Sequence, residues 1–211
     1  MGRPIEFDRN EVLEQALQLF WNTGYSATSV ANLVEATKLK PGSLYAAFKS
    51  KRGLFIATLD RYAERCISEL QRCLSADQSP LNTIRYYFSQ LILKIVEDEE
   101  SKGCFLINTM LEVAPHDNEI HQRVMDYFSD MEGRFADKIK QAQGCGEIPE
   151  NQPADEMAKF LMTCSWGLRI MGSTRQPEWQ LQKMADHMLS VLTQTAAKPM
   201  IHNDSQGIMS I

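Results

Sequence analysis

Residues 28–51 read Thr28-Ser29-Val30-Ala31-Asn32-Leu33-Val34-Glu35-Ala36-Thr37-Lys38-Leu39-Lys40-Pro41-Gly42-Ser43-Leu44-Tyr45-Ala46-Ala47-Phe48-Lys49-Ser50-Lys51, and this stretch decides the fold. Val30, Leu33 and Val34 fall at i, i+3 and i+4, on one face of a helix. Thr28 or Ser29 can cap that helix by accepting from an otherwise unpaired backbone N–H. Leu39 sits in a turn, and Pro41 suits the first turn of a second helix, where its missing N–H is not needed. Leu44 and Phe48, at i and i+4, point back to the same small core. The pattern is a helix-turn-helix, whose second helix is free to lie in a DNA major groove.

Upstream, Asp8 and Glu11 have the spacing of a capping box, and Phe7 with Val12 that of a hydrophobic staple. Val12, Leu13, Ala16, Leu17, Leu19 and Phe20 form a wide apolar stripe that ends at Gly24. Three helices therefore fill residues 9–48. Ahead of them, Gly2-Arg3-Pro4 forms a short arm with Arg3 held out of helical geometry by the following proline. It reads either as a minor-groove contact or as a frayed terminus.

The formal net charge of −5 argues at first against nucleic acid. Its distribution reverses that inference: residues 1–55 hold seven Lys/Arg against five Asp/Glu, and the remainder holds fifteen against twenty-two. A basic head on an acidic body suits local phosphate contact. The five cysteines, Cys66, Cys73, Cys104, Cys145 and Cys164, include no C-x-x-C pair, which points to reduced thiols. There is no long apolar run and no signal core, so a soluble, cytoplasmic protein without a membrane segment is expected.

The runs Ala16-Leu17-Gln18-Leu19-Phe20, Gly24-Tyr25, Ala27-Thr28-Ser29-Val30, Pro41-Gly42-Ser43-Leu44-Tyr45, Phe48-Lys49-Ser50-Lys51 and Leu54-Phe55 resemble the TetR family of transcriptional regulators. The resemblance is close over roughly residues 8–60. It implies an all-α protein: a helix-turn-helix DNA-binding head over 1–50, an effector-binding and dimerisation body over 51–196, and a disordered tail over 197–211. It also implies phosphate contacts from Thr28, Tyr45 and Lys51, with Lys49 and Ser29 beside them. Lys40 and Ser43 are the base-edge candidates, where Pro41, Gly42 and Leu44 bring the second helix into the groove. Lys38 stands where the family often has glycine, at a position favouring positive φ. A lysine there costs roughly 1 kcal/mol, tolerable if its charge also reaches a phosphate.

Ser50 can cap a long fourth helix carrying Phe55, Leu59, Tyr62, Cys66, Leu70 and Cys73, broken at 75–80. This helix is the natural lever between head and body. A fifth helix carries Ile84, Tyr87, Phe88, Leu91 and Ile95. Gly103-Cys104-Phe105-Leu106 opens a sixth, a motif that recurs in a branch of TetR-like regulators in which some relatives use the cysteine to sense oxidants or electrophiles. A helix start and the nearby Lys102 favour thiolate at Cys104, whereas the preceding acids and the usual burial of free cysteine favour a structural role. His116 and His121 are wrongly spaced to share a metal. Helix seven carries Ile120, Val124, Tyr127, Phe128, Met131, Phe135 and Ile139. The last two helices are apolar enough to need a partner, and the resemblance implies a four-helix dimer bundle built with Phe160, Cys164, Leu168, Met184, Met188 and Val191. The alternative is that these stripes close the monomer's own core.

The expected function is a homodimeric, DNA-binding transcriptional repressor, released from a pseudo-palindromic operator by a small-molecule effector near Cys104, Phe105, Tyr127 and Trp166. One alternative is a regulator switched covalently at Cys104; a remote one is a helical binding protein that has lost its DNA contacts. No Ser/His/Asp set, phosphate loop or ligand-spaced metal cluster supports an enzyme, a cofactor or a metal.

Overall fold

In the computed structural model, residues 7–194 are described; Arg3 and the 197–211 tail lie outside them. Nine α-helices run through the described residues: α1 Arg9–Thr23, α2 Val30–Thr37, α3 Pro41–Phe48, α4 Lys51–Leu74, α5 Pro80–Glu97, α6 Phe105–Glu112, α7 Asn118–Gly144, α8 Ala154–Ser173 and α9 Glu178–Ser190. Among the described residues there is no strand.

The head follows from its caps and its small core. Asp8 accepts from the backbone N–H of Asn10 at 2.8 Å and Glu11 at 3.4 Å, and α1 stops at Gly24 with φ +80°. Glu11 does not complete the reciprocal bond, because its carboxylate accepts from Gln15 instead. Ser29, rather than Thr28, caps α2, in a box closed by Asn32. Leu33, Leu44 and Phe48 meet Leu13, Leu17 and Phe20 of α1, all buried. Val30 and Val34 stay only half-buried, so α2 contributes one core side chain from the expected trio.

α3 turns into α4 at Ser50, whose hydroxyl accepts from Gly53 N at 3.0 Å. A Cβ at Gly53 would overlap the Phe48 carbonyl oxygen, so this corner requires glycine. α4 then carries Leu54, Phe55, Leu59, Tyr62, Leu70 and Cys73 in one buried stripe. It packs on α1 at its start and on α5 and α7 further along, which makes it the shared spine of head and body. The body closes by α7 packing on α8, with α5 and α9 beside them.

One expectation is corrected by this packing. Leu168 is 0% and Cys164 5% exposed, so both fill the core of the single chain rather than a surface for a twin. α6 ends at Glu112, and Pro115 lies in a separate turn of 3₁₀ helix over Ala114–His116.

Candidate nucleic-acid interface and body cavity

α3 begins at Pro41 with Lys40 as its cap residue, and no side chain caps it. The positive end of the helix is thus open to solvent, a place that stabilises a phosphate. Lys40, Pro41, Gly42, Tyr45, Ala46 and Lys49 are exposed and Ser43 half-buried, forming one outward stripe. Ser29 and Lys38 are exposed next to it. Lys38 adopts φ 55° and ψ 14°, the left-handed conformation expected at the turn. Lys49, which closes α3, also has positive φ, at 69°, which its sequence did not reveal. Two lysines held in a conformation that disfavours side chains therefore bracket the outward helix. Strain of this kind collects at functional sites.

Three of the candidate contacts look inward. Leu44 is fully buried, so it holds α3 to the head and offers no surface to a ligand. Thr28 is 2% exposed; its hydroxyl donates to Gly24 O at 2.6 Å and lies 2.6 Å from Thr23 Oγ1. It is a fastener for the α1–α2 loop, not a free phosphate ligand. Lys51 places its ammonium over the Tyr25 ring, 4.4 Å from the centroid.

Polar contacts tie the head and the first turn of α4 to the elements after α4 at three places. The Glu112 carboxylate, at the end of α6, accepts from the backbone N–H of Tyr25 at 3.1 Å and Ser26 at 2.9 Å. Burial works against its charge, yet these two N–H donors outweigh that and hold its pKa below the usual value. Arg52 at the start of α4 grips Asp117, the cap of α7. Trp21 of α1 donates to Lys102 O at 3.1 Å, and the Lys102 ammonium returns to Gln18 Oε1 at 3.0 Å. The Lys102 loop is bent by positive φ at Ser101 and Gly103.

A cavity of about 540 Å³ opens at that third fastening, between α1, α4, α5, α8 and the 101–103 loop. Its walls include Trp21, Tyr62, Cys66, Ile95, Lys102 and Arg169. Gly172 lets α8 approach α5 here, because a Cβ would overlap Ile95 Cγ2. The four expected effector residues are not gathered around it. Phe105 is buried in an aromatic cluster with Trp21, Phe55 and Tyr62. Trp166 packs on Phe128, with centroids 4.6 Å apart. Tyr127 donates to Asp60 at 2.6 Å; burial, and then that carboxylate, raise its pKa. Cys104 borders a smaller side cavity, is 6% exposed, and has Tyr62 Oη 3.7 Å from its sulfur. The Lys102 ammonium turns to Gln18 and Glu100, away from any role beside the thiol. Sequence reasoning missed Arg169, although it is the one charge between Phe160 and Thr174.

Among the described residues, no group of three His, Cys, Asp or Glu is placed to hold a metal, and no helix is long and apolar enough to cross a membrane.

Comparison with known proteins agrees with this geometry. The family described as "Bacterial regulatory proteins, tetR family" matches residues 12–58, and "Tetracyclin repressor-like, C-terminal domain" matches residues 80–193. The chain is 35% identical over 170 residues to the HTH-type transcriptional repressor ComR of Escherichia coli (strain K12), covering 80% of this chain and 81% of ComR. It is 29% identical over 193 residues to the uncharacterized HTH-type transcriptional regulator YezE of Bacillus subtilis (strain 168), covering 91% and 100%. Among solved structures, a cysteine mutant of the regulator CifR in complex with 26-base-pair operator DNA superposes with a TM-score of 0.81 at 26% identity, covering 90% of this chain and 100% of that one. The head, the body and these likenesses agree: this chain belongs to the TetR family and is a DNA-binding transcriptional regulator.

Proposed function

We propose that the chain represses transcription as a homodimer and leaves its operator when a small molecule occupies the cavity between head and body. The observation that carries this reading is the outward stripe of Lys40, Pro41, Gly42, Ser43 and Tyr45 on a helix with an uncapped, solvent-facing N-terminus. Base reading falls to Lys40 and Ser43, and backbone contact to Ser29, Lys38, Tyr45 and Lys49. Two such helices, one per protomer, would enter successive grooves about 34–36 Å apart.

The reading head extends through residue 50 and the sensing body from 51 to 196, with α4 packed against the head as well as the rest of the body. For pairing, Phe160, Met184, Met188 and Val191 remain partly exposed after the monomer core is complete. Ile170 at 57% and Trp179 at 65% exposure extend the apolar surface of the last two helices. An occupant of the cavity touches Trp21 and the Lys102 loop together, and so acts on α1 directly. It shifts the balance between binding and released states only by its differential affinity for them. Gel-shift titration with DNA flanking the protein's own reading frame tests this. We expect a shifted inverted-repeat fragment that survives bulk competitor, and loss of the shift in Lys40→Ala with Tyr45→Ala.

A further inference from the structure

Among the described residues, one cation on the cavity wall is paired with no carboxylate. Arg169 lies in the C-terminal half of α8, its guanidinium surrounded by Tyr62, Cys104, Tyr87 and Cys66. The residue still keeps partial exposure because it borders three hollows, of about 540, 20 and 230 Å³. Among the described residues it forms no salt bridge, and none of its nitrogens is fully buried without a partner, so the guanidinium can be reached from the hollows it lines.

The other cations of the same cavity are already matched. Lys94 pairs with Glu69, Lys102 with Glu100 at 2.6 Å, and Arg65 with Glu14 at 3.6 Å. Of the remaining acids, Glu97 is exposed at the rim and Asp98 accepts from Gly103 N at 3.3 Å. Burial pushes Tyr62 upward, Cys66 to about 11 and Tyr87 to about 12, so at neutral pH these neighbours of Arg169 are dipoles without charge. An enclosed cation facing neutral groups costs stability. A guanidinium in that situation is suited to receive a planar oxyanion through two parallel N–H bonds. One unmatched cation calls for one negative charge, which favours a carboxylate over a phosphate dianion. Trp21, Tyr62 and Ile95 offer apolar surface on the walls around it.

We propose that Arg169 binds the head group of a small organic monocarboxylate whose apolar body lies against Trp21, Tyr62 and Ile95. This rests on the cavity being the effector site. Because Trp21 also holds Lys102 O, the ligand's apolar end meets the link between α1 and the 101–103 loop.

The test uses probes matched in shape and different in charge: benzoate, benzamide and benzylamine, and hexanoate, hexanamide and hexylamine. Binding is read by calorimetry, and operator retention by gel shift, on the full-length protein. We expect a carboxylate to bind at least about tenfold more tightly than its amide and to release the operator. Arg169→Met should abolish that preference, Arg169→Lys should restore part of it, and free Arg169→Met should hold operator as the unaltered protein does. Its unfolding midpoint should be no lower, since no ion pair is broken; this separates loss of the site from loss of the fold. Equal affinity for acid and amide, no binding of either carboxylate, or an unaltered preference in Arg169→Met overturns the proposal. Release of operator by an amide or amine overturns it while leaving effector control standing. Carboxylate binding at Arg169 without operator release supports the anion site and overturns effector control through it.

Discussion

Arg52 donates to both oxygens of Asp117, from Nε at 2.7 Å and Nη2 at 3.0 Å, and Nη2 also reaches Glu119 at 2.7 Å. Asp117 at the same time accepts from the backbone N–H groups of Glu119 and Ile120 and so caps α7. One carboxylate thus joins the first turn of α4 to the first turn of α7. The Arg52 guanidinium, chiefly, holds its pKa down to about 2 from the ordinary 3.8.

A depressed carboxylate contributes stability that is complete above its unfolded value and is lost as pH falls. Denaturant titrations of the unaltered protein should therefore lose this contribution between about pH 4 and pH 2. Asp117→Asn should remove that part of the slope while retaining the cap, because asparagine caps as well as aspartate does. Asp117→Ala should cost about 1 kcal/mol more than Asp117→Asn through loss of the cap. Equal costs for the two variants would remove the capping role.

Glu112 ties the loop after α1 to the end of α6 through Tyr25 N and Ser26 N. Glu112→Ala should destabilise the protein by about 1–2 kcal/mol, since one of the two donors is half-buried and loses its acceptor. Glu112→Gln, which keeps a carbonyl acceptor, should cost less. Thermal unfolding checks both variants. An unchanged midpoint in Glu112→Ala would show that the loop is held elsewhere.

Lys38 occupies the left-handed region with φ 55°. Lys38→Gly should relieve about 0.5–1 kcal/mol of backbone strain after allowing for the added freedom of the unfolded chain. That corresponds to a rise in midpoint of roughly 2–4 °C per kcal/mol for a chain of this size. If its ammonium contacts a phosphate, the same variant should bind operator more weakly and flatten the logarithmic salt dependence by about 0.9. A variant that is no more stable than the unaltered protein would refute the strain.

Gly172 allows α8 to meet α5 beside the cavity. Gly172→Ala places a methyl group against Ile95 and should cost about 1–3 kcal/mol by overpacking. Gly172→Ala with Ile95→Val, which removes a methyl group from the opposing side chain, should recover part of that loss. Urea unfolding of the single and double variants measures the difference.

Local signals carry most of the fold. Asp8, Pro41 and Ser50 start helices where their chemistry places them, Gly24 ends one, and Lys38 takes the expected positive φ. Helical periodicity names the apolar residues of a stripe but not which neighbour covers them. It therefore offers Leu168 and Cys164 to a twin, whereas α7 and α9 already enclose α8. Thr28 shows a related limit: a hydroxyl is legible as a donor, whereas its partner, Gly24 O, depends on the path of the loop. The cavity is the least legible feature. Its walls come from four helices and a loop, and phenolic and thiol side chains from α4, α5 and the α6 cap surround Arg169. A single charge within the apolar run between Phe160 and Thr174 is the signal available for it.

That two outward α3 helices, one from each of two paired chains, read one duplex is tested most directly by weighing the complex in solution. The DNA is an inverted-repeat fragment from the flanking sequence, and a footprint accompanies the mass. We expect two chains, or a multiple of two, per duplex. Protected half-sites should lie about 10–10.5 base pairs apart, or a multiple of that, from centre to centre. A single chain per duplex, or protection that bulk DNA removes as readily as it removes binding to an unrelated fragment, would contradict this account of the protein.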